Sequence, residues 1–248
     1  MRRLLFAEFN IVYRKPKLYV LLSILLGAFG LGILIDYYLK STTWGYTLID
    51  WFYPFLAIVL VTDITHKEYK YKTMKNLIGS GFSRKQIYFG KLIVTLGSSL
   101  AFLLMAEMLK IVYAIINHQM ASKIYPTVEI VDGIRDLGKF AIIFIISVLV
   151  VSDGLSLFAS FMYGVMLGPV IGLAGLFMNL SEKASNIIGA ITLTSSDAYL
   201  KVARNKEGTQ IISTKIIPSG LAWCVLGIAI TIGLLILGYE VFKKKEFK

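Results

Sequence analysis

Between positions 140 and 180 the chain runs for 41 residues with Asp153 as its one charged side chain. At about 1.5 Å per residue such a stretch would reach roughly 60 Å as one helix, twice a hydrocarbon core of about 30 Å. Two membrane-crossing helices must therefore share it. The best turn is Met162-Tyr163-Gly164, with Pro169 in the first turns of the following helix, which predicts spans over 140–161 and 165–180.

Other apolar blocks repeat the pattern. Residues 18–39 form the clearest span, 46–64 a second that contains Pro54 and Asp63, 92–116 a third and 220–239 the last. Trp44, Tyr46 and Trp51 suit an interfacial belt. Residues 1–17 carry Leu5, Phe6, Phe9, Val12 and Tyr13 on one helical face and Arg2, Arg3, Arg14 and Lys15 elsewhere, which reads as an interfacial amphipathic helix. The expected fold is an all-α integral membrane protein, a single domain over 1–248 with six spans, a cytoplasmic hairpin between spans 2 and 3, and a long outer loop over 181–219. No internal repeat divides it, which argues against an inverted-repeat transporter.

Of the residues, 56% are hydrophobic and 17% charged, against about a quarter charged in a soluble domain. The net charge of +11 sits at block edges rather than in one patch, so it matches the positive-inside bias and anionic lipid headgroups, not nucleic acid. Five Lys/Arg fall in 1–17, seven in 66–91 and four after Tyr239, which predicts both ends and the 66–91 loop on the cytoplasmic side of a cell membrane. The loop 181–219, with five Lys/Arg and three Asp/Glu, is long enough to obey that rule weakly. The one cysteine, Cys224, excludes an intramolecular disulfide and a cysteine metal cluster. His66 and His118 fall on opposite sides, which excludes a metal site shared by them, and the first apolar run starts too late and runs too long for a cleaved signal.

Ionisable residues inside spans are costly in lipid and need a partner or a wet cavity. Glu107 and Lys110, three apart, can pair on one helix face. Asp153 has no such neighbour in sequence, which leaves two readings open: a polar cavity or inter-helix role, or a plain hydrogen bond to an adjacent helix. The methionines and aromatic residues of the spans read as packing.

The segment 63–91 is the most informative polar stretch. Glu68 to Ile78 can form a short helix, Gly79-Ser80-Gly81 can end it, and Ser83 can cap a second helix from Arg84. Its order is Glu68-Tyr69, Lys72-Thr73-Met74-Lys75-Asn76-Leu77, Gly81-Phe82-Ser83-Arg84 and Gly90-Lys91. That order resembles the first cytoplasmic loop of type-2 ATP-binding-cassette exporter permeases, departing from it at Lys72, where the family usually has glycine.

The resemblance implies a coupling helix, with Glu68, Tyr69, Lys72, Thr73, Lys75, Asn76, Leu77 and Arg84 meeting a separate ATPase subunit that binds ATP and Mg. This chain would hold no cofactor, metal or catalytic residue of its own; it has no phosphate loop, since Gly79-Ser-Gly-Phe-Ser-Arg-Lys lacks the spacing. Further implied are a homodimer or a heterodimer with a related permease, and a place in a bacterial membrane. Within the family the chain is most similar to Gram-positive peptide exporters, such as those for amphipathic phenol-soluble modulins, with lantibiotic self-immunity or drug efflux as the alternative. An intramembrane enzyme would need paired catalytic groups in the spans, which the sequence lacks, and a membrane scaffold would leave the basic loop without an ATPase to meet.

Overall fold

The computed structural model describes residues 2–39, 44–70, 74–116, 126–150, 152–177, 181–193, 200–204, 211–216 and 218–244. Helix α1 (Arg2–Arg14) breaks at Lys15, and Pro16 opens α2 (Pro16–Leu39) in the first turn, where its missing N–H would have had no intrahelical acceptor. Helix α3 (Trp44–Lys70) follows, then a short α4 (Met74–Gly79) and a long α5 (Arg84–Ile116). Helix α6 is Pro126–Leu149. The next helix, α7, comprises Asp153–Phe161, a π-helical turn Met162–Met166 and Leu167–Phe177. A short α8 (Glu182–Ile191), strands β1 (Leu200–Arg204) and β2 (Ile211–Ile216), and α9 (Pro218–Lys244) complete the chain.

Among the described residues five helices are long and apolar enough to cross a membrane: Pro16–Leu39, Trp44–His66, Arg84–Ile116, Asp153–Ile171 and Gly220–Lys244. Helix α6 has the length, but Glu129, Asp132, Arg135, Asp136 and Lys139 occupy its first half. Apart from β1 and β2 the described chain is helical. The antiparallel hairpin, Leu200 opposite Ile216 through to Arg204 opposite Ile211, corrects the all-α expectation within 181–219.

The division of the apolar stretch 140–180 also differs from expectation. The reversal falls between Leu149, which ends α6, and Asp153, which begins α7, whereas Met162-Tyr163-Gly164 lies inside α7 as part of its π-helical turn. Ser152 is extended and precedes Asp153 in the first turn of α7, where a carboxylate faces the positive end of the helix dipole. The lone polar pair in the stretch thus marks the reversal, and α6 makes up its length from the charged residues before Phe140.

Contacts between helices rest on small residues and aromatic rings, as expected where lipid offers no hydrophobic drive to associate. A Cβ at Gly32 would lie 2.6 Å from the Cα of Gly45, so α2 and α3 touch backbone to backbone. At the other end Tyr88 of α5 packs edge-on or tilted among Phe144, Tyr239 and Phe242 and donates to the Leu235 carbonyl at 2.9 Å, which joins α5, α6 and α9. Helix α1 lies along α5, with the Phe9 ring 3.0 Å from where a Gly97 Cβ would be. Its buried stripe is Leu4, Glu8 and Val12, with Leu5 and Phe9 flanking, while Phe6 and Tyr13 of the expected apolar face point outward. Packing on protein, rather than on lipid alone, rotates that face.

Contacts also sort the elements by end. Lys15 and Lys17 hold Asp63 at 2.7 and 2.8 Å, and the Arg84 guanidinium donates to the Lys243 carbonyl. The α1–α2 junction, the end of α3, the α4–α5 turn and the end of α9 therefore share one end of the bundle. The α6–α7 turn joins them, because Asp153 faces His66 at 3.0 Å.

Candidate functional site

Two polar constellations stand out, one at each end. At the first, α3 runs unbroken through Glu68 and Tyr69 to Lys70, so these two residues end a membrane helix rather than begin the short one. The side chains at 67–75, those of Glu68, Tyr69, Lys72, Thr73 and Lys75 among them, lie outside the described residues. Asn76 is exposed, whereas Leu77, Ile78 and Phe82 pack on the main core. This pattern follows from a six-residue helix too short to be stable unless one face is buried.

The turn after α4 is specified by backbone chemistry. Gly81 has φ +86°, a conformation glycine adopts without the penalty of a Cβ, and its N–H donates to the Ile78 carbonyl at 3.0 Å while that of Phe82 donates to Leu77 at 3.3 Å. Ser83 then forms a reciprocal cap: its N–H donates to Gln86 Oε1 at 3.0 Å and its Oγ accepts from the Gln86 N–H at 3.2 Å. Arg84, bound to the end of α9, anchors the start of α5. Lys91 is buried further along the same helix and donates to the Ile64 carbonyl at 3.2 Å, which ties α5 back to α3. The result is a basic, capped hairpin presenting the exposed edge of α4 away from the bundle.

At the opposite end the expected Glu107–Lys110 pair exists at 2.8 Å, and Lys110 also reaches Asp50 of α3 at 2.7 Å. Asp50 is remote from both in sequence, and spacing gives no sign of it. Nearby, buried Asp36 accepts from the N–H groups of Trp44 and Gly45 at 3.2 and 3.1 Å and from the Tyr113 hydroxyl, which caps α3 and fastens α2 to α5. Helix α6 adds Asp132, Arg135, Asp136 and Lys139, spaced so that all four fall on one face. Arg135 holds Asp132 and Asp136 at 3.0 and 2.9 Å, and Tyr53 of α3 donates to Asp136 at 3.4 Å. Asp136 and Lys139 are buried, so this face looks inward. Starting the fourth span at Phe140 misses that stripe; its i, i+3, i+4, i+7 spacing is the signal that could have found it.

Asp153, the third expected intramembrane polar residue, is half exposed at the start of α7 beside His66, at the end of the bundle that carries the capped hairpin. It does not join Glu107 and Lys110.

Helices of this length and apolarity, with polar side chains gathered inward, define a multi-pass membrane protein. The model of the ABC-2 family transporter proteins matches residues 7–175, and the chain belongs to that family. It is accordingly a membrane-spanning subunit of an ABC transporter, partnered by an ABC ATPase subunit and not itself that ATPase. No curated protein matches the chain.

Proposed function

We propose that this subunit is the permease of an exporter that moves amphipathic peptides outward, driven by ATP hydrolysed on separate subunits, with two permease copies forming the path. The observation that carries the reading is the capped hairpin. Its apolar side, Leu77, Ile78 and Phe82, rests on the bundle, and its other edge, where Asn76 is exposed, is available to seat in an ATPase cleft. Glu68, Tyr69, Lys72, Thr73 and Lys75 supply the remaining contacts, and Arg84 fixes the hairpin to α9. The basic residues gathered at this end of the bundle favour the cytoplasm for it and for both ends of the chain.

Coupling requires that the ATPase bind two permease states unequally, since equal binding shifts nothing. Glu68 and Tyr69 suit that role from the end of α3, because a push there is carried along a continuous helix to Tyr53 and Asp50. Replacing Glu68 and Tyr69 together by alanine should leave the protein abundant in the membrane, reduce co-purification of the ATPase and abolish export. Normal export by the double variant would reduce the hairpin to a topology anchor.

A further inference from the structure

The polar stripe of α6 closes on itself and leaves one group over. Arg135 takes Asp132 at 3.0 Å and Asp136 at 2.9 Å, and the second carboxylate oxygen of Asp136 accepts from the Tyr53 hydroxyl at 3.4 Å. Lys139 lies one turn further along the same face with 8% of its surface exposed, and among the described residues no hydrogen bond or ion pair reaches its ammonium. Lys110, by contrast, holds Asp50 at 2.7 Å and Glu107 at 2.8 Å. A buried ammonium has three donors to satisfy, and without a carboxylate it is among the costliest groups a membrane bundle can hold.

The face that carries Lys139 is set against the irregular part of α7. Positions 139, 143 and 147 of α6 follow at four-residue spacing, as do 160, 164 and 168 of α7, so each set forms one stripe. The hydroxyl oxygens of Ser147 and Ser160 are 3.5 Å apart, and a Cβ at Gly164 would lie 3.3 Å from Ile143 Cδ1. The helices run antiparallel, and the next step of this register sets Lys139 level with Gly168. Gly168 brings no side chain there, Pro169 brings no N–H to the turn before it, and the π-helical turn Met162–Met166 precedes both. Interrupted helices of this kind build binding sites inside membrane bundles, and π-helical turns recur at functional sites.

We infer that Lys139 is the charged group of a binding site between α6 and α7 for one carboxylate of the transported peptide, its C-terminus, a site that rests on the exporter reading above. Depth argues against a lipid headgroup. Tyr53 of α3 meets Asp136, and Ile58 meets Ile143 across Gly164, so Lys139 is level with the middle of the Trp44–His66 span, roughly 15 Å from either end. Charge argues against a phosphate monoester, because Asp132 and Asp136, within two turns of Lys139, repel a second negative charge. The C-terminus is the carboxylate that every linear peptide carries, so such a site orients amphipathic chains of differing sequence. Once bound, the carboxylate accepts from the ammonium and the pair is neutral.

Two measurements test the site, and the first needs no peptide. Lys139→Met removes an uncompensated buried charge at similar volume, so the variant should unfold later than the parent chain in a detergent titration. Earlier unfolding would mean that Lys139 is already paired inside the bundle and would overturn the site. The second follows ATP hydrolysis by the complex with its ATPase in nanodiscs, stimulated by an amphipathic helical peptide of leucine, lysine and serine. The peptide is made with a free C-terminal carboxylate and again with a C-terminal amide. In the parent complex, half-stimulation should need about tenfold more of the amide form. Lys139→Met should respond to both forms alike, and Lys139→Arg should keep the preference for the carboxylate. An equal preference in the parent and in Lys139→Met would overturn the site. No response to either form in a parent complex with an active ATPase would count against the exporter reading, and the unfolding shift still decides whether Lys139 is paired.

Discussion

Lys110 is the residue on which the polar cluster opposite the hairpin end turns. Its ammonium faces two carboxylates from different helices, Asp50 at 2.7 Å and Glu107 at 2.8 Å, and is the most buried of the three. Removing one partner from a partly buried ion cluster such as this leaves an uncompensated charge, whereas replacing all of it by neutral groups costs little. Lys110→Met should therefore destabilise the folded bundle by about 2 to 4 kcal/mol, seen as earlier unfolding in a detergent titration. Adding Asp50→Asn and Glu107→Gln to it should restore most of the loss. If the triple variant is as unstable as the single one, the lysine acts by packing and not by charge. Half of this cluster is legible in the sequence: three-residue spacing on a helix predicts Glu107 with Lys110, but a partner on another helix follows only from how α3 and α5 cross.

At the scale of elements, hydropathy locates the bulk of α2, α3, α5 and α9 but only the end of α6, and it misplaces the boundary within 140–180; the failure has a physical cause. A window average responds to apolar content, not to backbone direction, so a reversal carried by Ser152 and Asp153 alone leaves no dip between two equally apolar helices. The α4–α5 turn, in contrast, is legible because glycine and the Ser83-to-Gln86 spacing are local signals with local causes. That cap yields a direct expectation. Ser83→Ala removes the acceptor for the Gln86 N–H at a cost of about 1 kcal/mol. Amide exchange at the start of α5 should then quicken about fivefold while the rest of the bundle is unchanged. An unchanged rate at Gln86 would mean that the Arg84 anchor to α9, not the cap, holds the start of α5.

For the whole molecule, the contacts establish which elements share an end, and charge gives the direction expected of them in the membrane. Ser80 of the hairpin turn, Ser152 of the α6–α7 turn and Lys244 at the end of α9 belong to one end, and Tyr38, at the end of α2, belongs to the other; all four are exposed. The revised course of α7 matters for testing this, since Tyr163, expected at an inner turn, instead lies in mid-helix and donates to the Thr192 carbonyl. Single cysteines at positions 80, 152, 244 and 38 in a Cys224→Ala background separate the possibilities. Alanine is preferable to serine at 224, because that side chain is buried among apolar groups and a hydroxyl there would need a hydrogen bond. An impermeant thiol reagent added to intact cells should label position 38 alone, and permeabilised cells should label all four. Labelling of 80, 152 and 244 from outside would invert the bundle and remove the hairpin from any cytoplasmic ATPase. A split result, with 152 on the side of 38, would refute the His66–Asp153 contact and with it the reversal between Leu149 and Asp153.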